Sequence, residues 1–158
     1  MKTNSQKAIF SAGCFWGVEE FFNQLQGVIE TRVGYTGGET PHPTYDNVSS
    51  GKTGHAESVE ITYDPKHISY NDLLQKFWEI HDPTLLNRQG PDTGSQYRSA
   101  IFYTDEHQKE LAIKSKHRME NSGLLDKPIV TEIVKAKPFY PAEEYHQKYF
   151  LKHKNHTC

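Results

Sequence analysis

Apolar and polar positions follow two periods along this chain, and the switches between them delimit its elements. Ala8-Ile9-Phe10-Ser11-Ala12 is a short apolar run; after it Val18, Phe21, Phe22 and Leu25 recur at helical spacing until Gly27 stops the pattern, predicting a strand and then a helix. Val28 to Tyr35 is rich in β-branched residues and ends at Gly37-Gly38, a second strand with a turn signal. From Thr36 to His55 there is no periodicity, only Gly, Pro, Thr, Ser and Asn in quantity, which predicts a long loop. Glu57 to Tyr63 alternates, with Val59, Ile61 and Tyr63 on one face and Ser58, Glu60 and Thr62 on the other; parity places Glu57 on the apolar side. Ser69, with Asp72 three residues on, opens Leu73 to His81 as a capped helix. A second long loop runs from Asp82 to Arg98. Ser99 to Tyr103 reads as a strand, Asp105 to Asn121 as a helix capped by Thr104, and Ile129 to Val134 as a strand. Pro141 to Lys152 suits a last helix with proline at its first position, followed by a polar tail from His153 to Cys158.

The order is strand, helix, strand, strand, helix, strand, helix, strand, helix. Helices interleaved with strands able to pair antiparallel predict an α+β fold, a ferredoxin-like split βαβ sandwich core with long functional loops and a mobile C-terminal tail. The 158 residues correspond to one domain over 1–158, with no internal repeat.

Charge and composition narrow the function. Lys and Arg number 18 against 20 Asp and Glu, so the net charge is only -2. That balance lacks the strong net charge of disordered chains and the long-range pull on phosphate that nucleic-acid binders use, so nucleic acid is not an expected partner. No uncharged apolar run reaches the 18 or so residues that span a bilayer, so no membrane partner is expected either. Ser11-Ala12-Gly13-Cys14 superficially resembles a lipoprotein cleavage site, but Thr3 to Lys7 upstream is polar where a signal peptide needs an apolar stretch. Two cysteines are too few for a disulfide-rich secreted scaffold, and a cytoplasmic location is the expectation.

Cys14 stands at the strand-to-helix junction in Gly13-Cys14-Phe15-Trp16-Gly17, where unpaired N–H groups and the positive helix end favour an anion. A thiolate is such an anion and is the nucleophilic form of cysteine; the bland alternative is a small buried hydrophobe. Phe15 and Trp16 suit either the core or an apolar cup for a small side chain. Burial of Glu57 on an apolar strand face would favour its protonated form and make it a proton donor, whereas a frayed strand end would leave it in water. Tyr45 and Tyr97 sit in the two long loops, where a phenol can donate to a ligand oxygen or simply pack. Asp92 and Arg98 flank Tyr97 and could pair to hold that loop. His153, His156 and Cys158 form at best a weak soft-metal clip; Cys158 could instead deliver a second thiol to an oxidised Cys14, or be a bystander. His42, His55, His81 and His146 are the remaining candidates for a Cys–His pair. Nothing in the pattern calls for a cofactor or a metal.

The chain resembles the A-class peptide methionine sulfoxide reductases. The likeness lies in Gly13-Cys14-Phe15-Trp16-Gly17, Val33-Gly34-Tyr35-Thr36-Gly37-Gly38, Pro43-Thr44-Tyr45, Gly54-His55-Ala56-Glu57, Phe77-Trp78, His81-Asp82-Pro83-Thr84, Asn87-Arg88-Gln89-Gly90 and Gln96-Tyr97-Arg98-Ser99, and returns from Phe139 to Gln147. It implies that Cys14 attacks a sulfoxide sulfur, that Glu57 protonates the sulfoxide oxygen with help from Tyr45 and Tyr97, that Asp92 orders the site, and that Phe15 and Trp16 hold the S-methyl group. It also implies a Cys14 sulfenic acid, resolved by Cys158 to a disulfide that thioredoxin reduces. Oxidised proteins or free methionine S-sulfoxide would be the substrate and the enzyme a monomer. The sequence departs from the family pattern at Ser49, near which many relatives carry a cysteine, and at His42 and Pro91, where asparagine is common. The rival readings of the same residues are a thiol peroxidase or acyl-transfer hydrolase built on Cys14, or a non-catalytic peptide-binding module anchored by Trp16 and Tyr97.

Overall fold

In the computed structural model, which describes residues 4–153, the first apolar run forms β1 (Gln6–Ala12), buried from Ala8 onward. Helix α1 (Phe15–Asn23) follows, with Val18 and Phe22 on its buried side. Then come β2 (Val28–Thr36), a short α2 (Tyr45–Ser49) and β3 (Ala56–Tyr63). Helix α3 (Tyr70–Glu79) opens on the predicted capping box: the Asp72 N–H donates to the Ser69 hydroxyl, and the Ser69 N–H to the Asp72 carboxylate, both at 3.0 Å. Two-residue strands β4 (Arg88–Gln89) and β5 (Asp92–Thr93) pair as a hairpin, and a 3₁₀ turn at Ser95–Tyr97 leads into β6 (Ser99–Tyr103). The chain continues with α4 (Glu106–Glu120), β7 (Glu132–Lys135), β8 (Tyr140–Pro141), a 3₁₀ turn at Glu144–His146 and α5 (Tyr149–Lys152).

The fold is α+β, as the pattern predicts. The main sheet runs β7-β6-β1-β3-β2-β8. Strand β3 lies between β1 and β2 and is antiparallel to both, so the β1–α1–β2 crossover is split; β1 likewise separates β3 from β6. Helices α1 and α3 cover one face. Phe10 of β1 is fully buried there, with its ring centroid 4.9 Å from that of Phe77 and 5.7 Å from that of Phe22. Truncating such a ring to alanine costs about 3–5 kcal/mol, so this contact is a main tie between sheet and helices. Helix α4 is joined to α3 by the Trp78 indole, which donates to the Ser115 hydroxyl at 2.7 Å. On the opposite face Ile9, Ala100 and Phe102 pack under Ala136 and Phe139.

The structure corrects several boundaries. The long loop after Thr36 contains α2, whose cap was already written in the sequence: Thr44 accepts the Asn47 N–H while the Asn47 side chain accepts the Thr44 N–H. Helix α4 is capped by Asp105, which accepts the Gln108 N–H at 2.8 Å; the Thr104 N–H instead donates to the Gln108 side chain. No helix starts at Pro141. That residue pairs with Gly34 at the sheet edge, where its missing N–H is harmless, and Gln147 clamps the following segment to β2 by accepting the Val33 N–H and donating to the Val33 carbonyl, both at 2.9 Å. Lys148 then turns through φ 54°, and the single turn of α5 follows it. The expected mobile tail beyond His153, with Cys158 in it, lies outside the described residues.

Candidate active site

The sheet places the start of α1 against the start of β3. Gly13, at φ +99°, makes the turn between β1 and α1; a Cβ at this position would lie 2.8 Å from the Cβ of Gln89, so only glycine fits. Cys14 becomes the N-cap residue of α1, at the positive end of the helix, a position that favours an anion. The Phe15 N–H of the first turn donates to the Glu57 carboxylate at 3.2 Å. Glu57 lies on the apolar side of β3, as parity predicts, and is 2% exposed.

The two long stretches bring the remaining groups. Tyr45 is the first residue of α2, its N–H held at 2.9 Å by the Glu143 carboxylate. Asp92 comes from the β4–β5 hairpin and Tyr97 from the 3₁₀ turn after it. Cys14, Phe15, Trp16, Tyr45, Glu57, Asp92 and Tyr97 line one cavity of about 70 Å³, room for one small group. All seven site residues expected among the described residues therefore meet at one place. Burial, and next the negative charge of Glu57, push the phenols of Tyr45 and Tyr97 above their ordinary value, so both remain hydrogen-bond donors through the neutral range.

Some readings are corrected. Arg98 does not pair with Asp92; its guanidinium donates to the carbonyls of Ser95 and Gly54, both at 2.9 Å, and reaches Glu132 at 3.4 Å. It ties the turn carrying Tyr97 to the loop before β3. Phe15 is both core and site: it is 1% exposed, packs against Tyr35 and lines the cavity. His55 bridges the Gly38 N–H and the Thr40 carbonyl, and His81 bridges the Phe77 carbonyl and the Ser99 hydroxyl, so both are tied into structural networks. Burial pushes His81 down to about 4, against the opposing effect of the Phe77 carbonyl. His42, where the family pattern commonly has asparagine, holds φ 46°, a conformation asparagine adopts more readily than most residues. His156 and Cys158 of the suggested metal clip lie outside the described residues, and among those described no group of three His, Cys, Asp or Glu could hold a metal ion.

Three groups support the site in ways the sequence does not announce: His146 is there only a candidate partner for Cys14, and Glu143 and Tyr149 carry no expected role. His146 is 1% exposed and accepts the Trp16 indole N–H at 2.9 Å; Glu143 anchors both the Tyr45 N–H and the Tyr35 hydroxyl; Tyr149 stacks on Trp16 at 3.7 Å. All lie in the last twenty residues of the described chain, where the weak helical pattern concealed a wrap along the sheet edge.

A model of the peptide methionine sulfoxide reductase family matches residues 6–158. The chain belongs to this family. It is 56% identical over 153 residues to the peptide methionine sulfoxide reductase MsrA of Methanothermobacter thermautotrophicus, covering 97% of this chain and 90% of that protein. To the MsrA of Methanococcoides burtonii it is 58% identical over 147 residues, 93% of this chain and 96% of the relative. Among solved structures, reduced Mxr1 from Saccharomyces cerevisiae superposes with a TM-score of 0.92 at 34% identity, over 99% of this chain and 92% of that one. The same protein in complex with Trx2 matches with a TM-score of 0.65 at 25% identity, over 94% and 89%. As a peptide methionine sulfoxide reductase family member the chain is an oxidoreductase, and among its described residues no helix is long and apolar enough to cross a membrane.

Proposed function

We propose that this protein reduces methionine S-sulfoxide, free or within proteins, to methionine, with Cys14 as nucleophile and Glu57 as proton donor. A sulfoxide oxygen leaves sulfur readily only when protonated, so the reaction needs a thiolate, an acid and hydrogen-bond donors aimed at one S=O group. The thiolate of Cys14 attacks the sulfoxide sulfur while the oxygen takes a proton from Glu57 and hydrogen bonds from Tyr45 and Tyr97. Phe15 and Trp16 hold the methyl group, and Asp92 orders the opposite wall. The protonated oxygen leaves as water, giving a Cys14–methionine sulfonium adduct; water then attacks the Cys14 sulfur, the S–S bond breaks, methionine departs with that electron pair, and Cys14 is left as a sulfenic acid. The Cys158 thiol condenses with it, releasing water and forming a disulfide, and thioredoxin reopens that disulfide by dithiol exchange. Cysteine-based turnover that needs a dithiol reductant suits the cytoplasm, and the reading takes the enzyme as a monomeric single domain over 1–158.

The observation that carries this reading is the convergence of thiol, carboxyl and two phenols, from four separate elements, on a cavity sized for one small group. The complex of the related Mxr1 with Trx2 supports thioredoxin as the reductant. A single turnover with excess methionine sulfoxide and no reductant tests it. One equivalent of methionine, with a loss of two hydrogens mapping to a peptide pair linked through Cys14 and Cys158, is the expected result. Cys158→Ser should still release one equivalent and then stall with thioredoxin; undiminished multiple turnover would remove Cys158 as resolver. No methionine from the unaltered protein would overturn the reductase reading and return the question to a hydrolase or a binding module.

A further inference from the structure

Trp16 forms one wall of the cavity, and its contacts include a flat stack and a directional hydrogen bond. Tyr149 lies flat on the indole, with ring centroids 3.7 Å apart and planes 6° from parallel. The indole N–H donates to Nδ1 of His146 at 2.9 Å. Stacking fixes the plane of a ring but lets it turn and slide within that plane; a directional bond removes this freedom.

The bond also fixes the state of the histidine. An indole N–H can only donate, so Nδ1 must be the acceptor and the neutral ring carries its proton on Nε2. That second nitrogen is buried and has no hydrogen-bond partner among the described residues, in a box of aromatic rings: Phe15 at 5.2 Å, Tyr45 at 4.6 Å and Tyr145 at 4.1 Å between centroids. His146 does not line the cavity. It stands behind it, touching the side chains that do.

We propose that His146 is a positioning residue for the methyl-binding wall, locking the Trp16 indole in register with Cys14 only while its imidazole is neutral. This deepens the reductase reading and rests on it. An imidazolium would present an N–H at Nδ1 to the indole N–H, two donors facing each other, and the lock would open. The titratable groups facing the ring are Glu143, Tyr45 and Tyr145; Phe15 and Trp16 from α1 carry no charge. Burial lowers the pKa of His146, outweighing the attraction of Glu143. The neutral form therefore persists to below the ordinary histidine range, and the lock is present at neutral pH and lost as the pH falls through that lowered value.

The test combines kinetics with a signal independent of activity. The chain has two tryptophans, and Trp78, bonded to Ser115, serves as internal reference. In ¹⁵N–¹H correlation spectra the Trp16 indole resonance should shift in His146→Leu and, in the unaltered protein, on acidification, while that of Trp78 stays. His146→Leu should raise KM for methionine sulfoxide about five- to tenfold, the value of one lost hydrogen bond, with a much smaller change in kcat. His146→Asn, which offers an amide oxygen near the Nδ1 position and cannot titrate, should recover most of that loss and flatten the acid limb of KM. Equal KM values in the Leu and Asn variants, or a Trp16 resonance indifferent to acid, would overturn the proposal. If His146→Leu does not fold, the acid titration of the unaltered protein decides alone. Should the unaltered protein release no methionine at all, the reductase reading falls and with it the role of the lock, even where the resonance shows the bond itself.

Discussion

Glu19 and Glu57 are 1% and 2% exposed, and both are tied to α1, yet their surroundings make them different chemical objects. Glu19 accepts the Lys148 N–H at 2.7 Å, the Thr31 hydroxyl at 2.9 Å and the Lys148 ammonium at 3.1 Å. Its charge is matched and its oxygens are engaged, and the product is a joint between α1, β2 and the chain entering α5. Glu57 accepts the Phe15 N–H and lines a cavity shared with a thiol and two phenols. Burial alone thus does not separate a structural carboxylate from the one proposed to donate a proton. What separates them is whether the neighbours hold a fixed positive charge or leave a path for a proton to a bound group.

The sharpest way to break this contrast is Glu57→Gln. The amide keeps an oxygen for the Phe15 N–H and the volume of the side chain, but cannot deliver a proton. Single-turnover release of methionine should fall by about 10²–10⁴-fold, while the thermal midpoint stays close to that of the unaltered protein. The charge of Glu57 also contributes to the raised phenols of Tyr45 and Tyr97, so alkaline titration of these tyrosines should begin at lower pH in the variant. A near-normal rate in a folded variant would place Glu57 beside Glu19 as a structural group.

These two glutamates also mark how far the sequence could be read. Glu57 was legible because strand parity is local: Val59, Ile61 and Tyr63 define a face, and Glu57 is on it. Cys14 was legible for the same reason, standing where an apolar run gives way to helical spacing. Tyr45, Tyr97 and Asp92 could be singled out from their loop positions, but only the family motifs implied that they act together, since no local rule says that two irregular stretches fold onto one point. Glu143 and His146 act across 98 and 130 positions, and their segment follows neither a period of two nor one of 3.6. Edge strand β8, two residues long and containing a proline, is too short to leave a pattern.

A smaller effect, on stability rather than rate, is expected from Glu19→Gln. The substitution removes the charge that Lys148 answers, but the Lys148 side chain is 32% exposed and its ammonium can turn to water. The loss should therefore sit at about 2 kcal/mol in urea denaturation, below the cost of stranding a fully buried partner. The single-turnover rate of the folded variant should be retained. A rate loss comparable with that of Glu57→Gln would show that the joint at Lys148 transmits to the Trp16 wall through the adjoining Tyr149, and the contrast between the two carboxylates would no longer divide structure from chemistry.

Glu143 sharpens the comparison from between the two. Among the described residues it has no ammonium partner like that of Glu19, but it accepts the Tyr35 hydroxyl at 2.8 Å and the Tyr45 N–H at 2.9 Å, so it anchors a cavity residue without lining the cavity. Its burial alone would raise its pKa, but the bonds from the Tyr45 and Glu143 amides and the Tyr35 hydroxyl, with the attraction of His146, bring it below the ordinary carboxylate value. The ionised form is thus favoured by folding. Its contribution to stability is complete above the ordinary glutamate range and is lost as the pH falls through the lowered folded value. Glu143→Gln keeps one oxygen for the Tyr45 N–H and loses the charge, which should cost about 1 kcal/mol at neutral pH. Urea denaturation from about pH 7 to about pH 3 should show that gap closing in acid, because the unaltered protein loses there what the variant never had. A gap that stays constant to the acid end would mean that shape rather than charge holds Tyr45, and that Glu143 supports the site as packing alone.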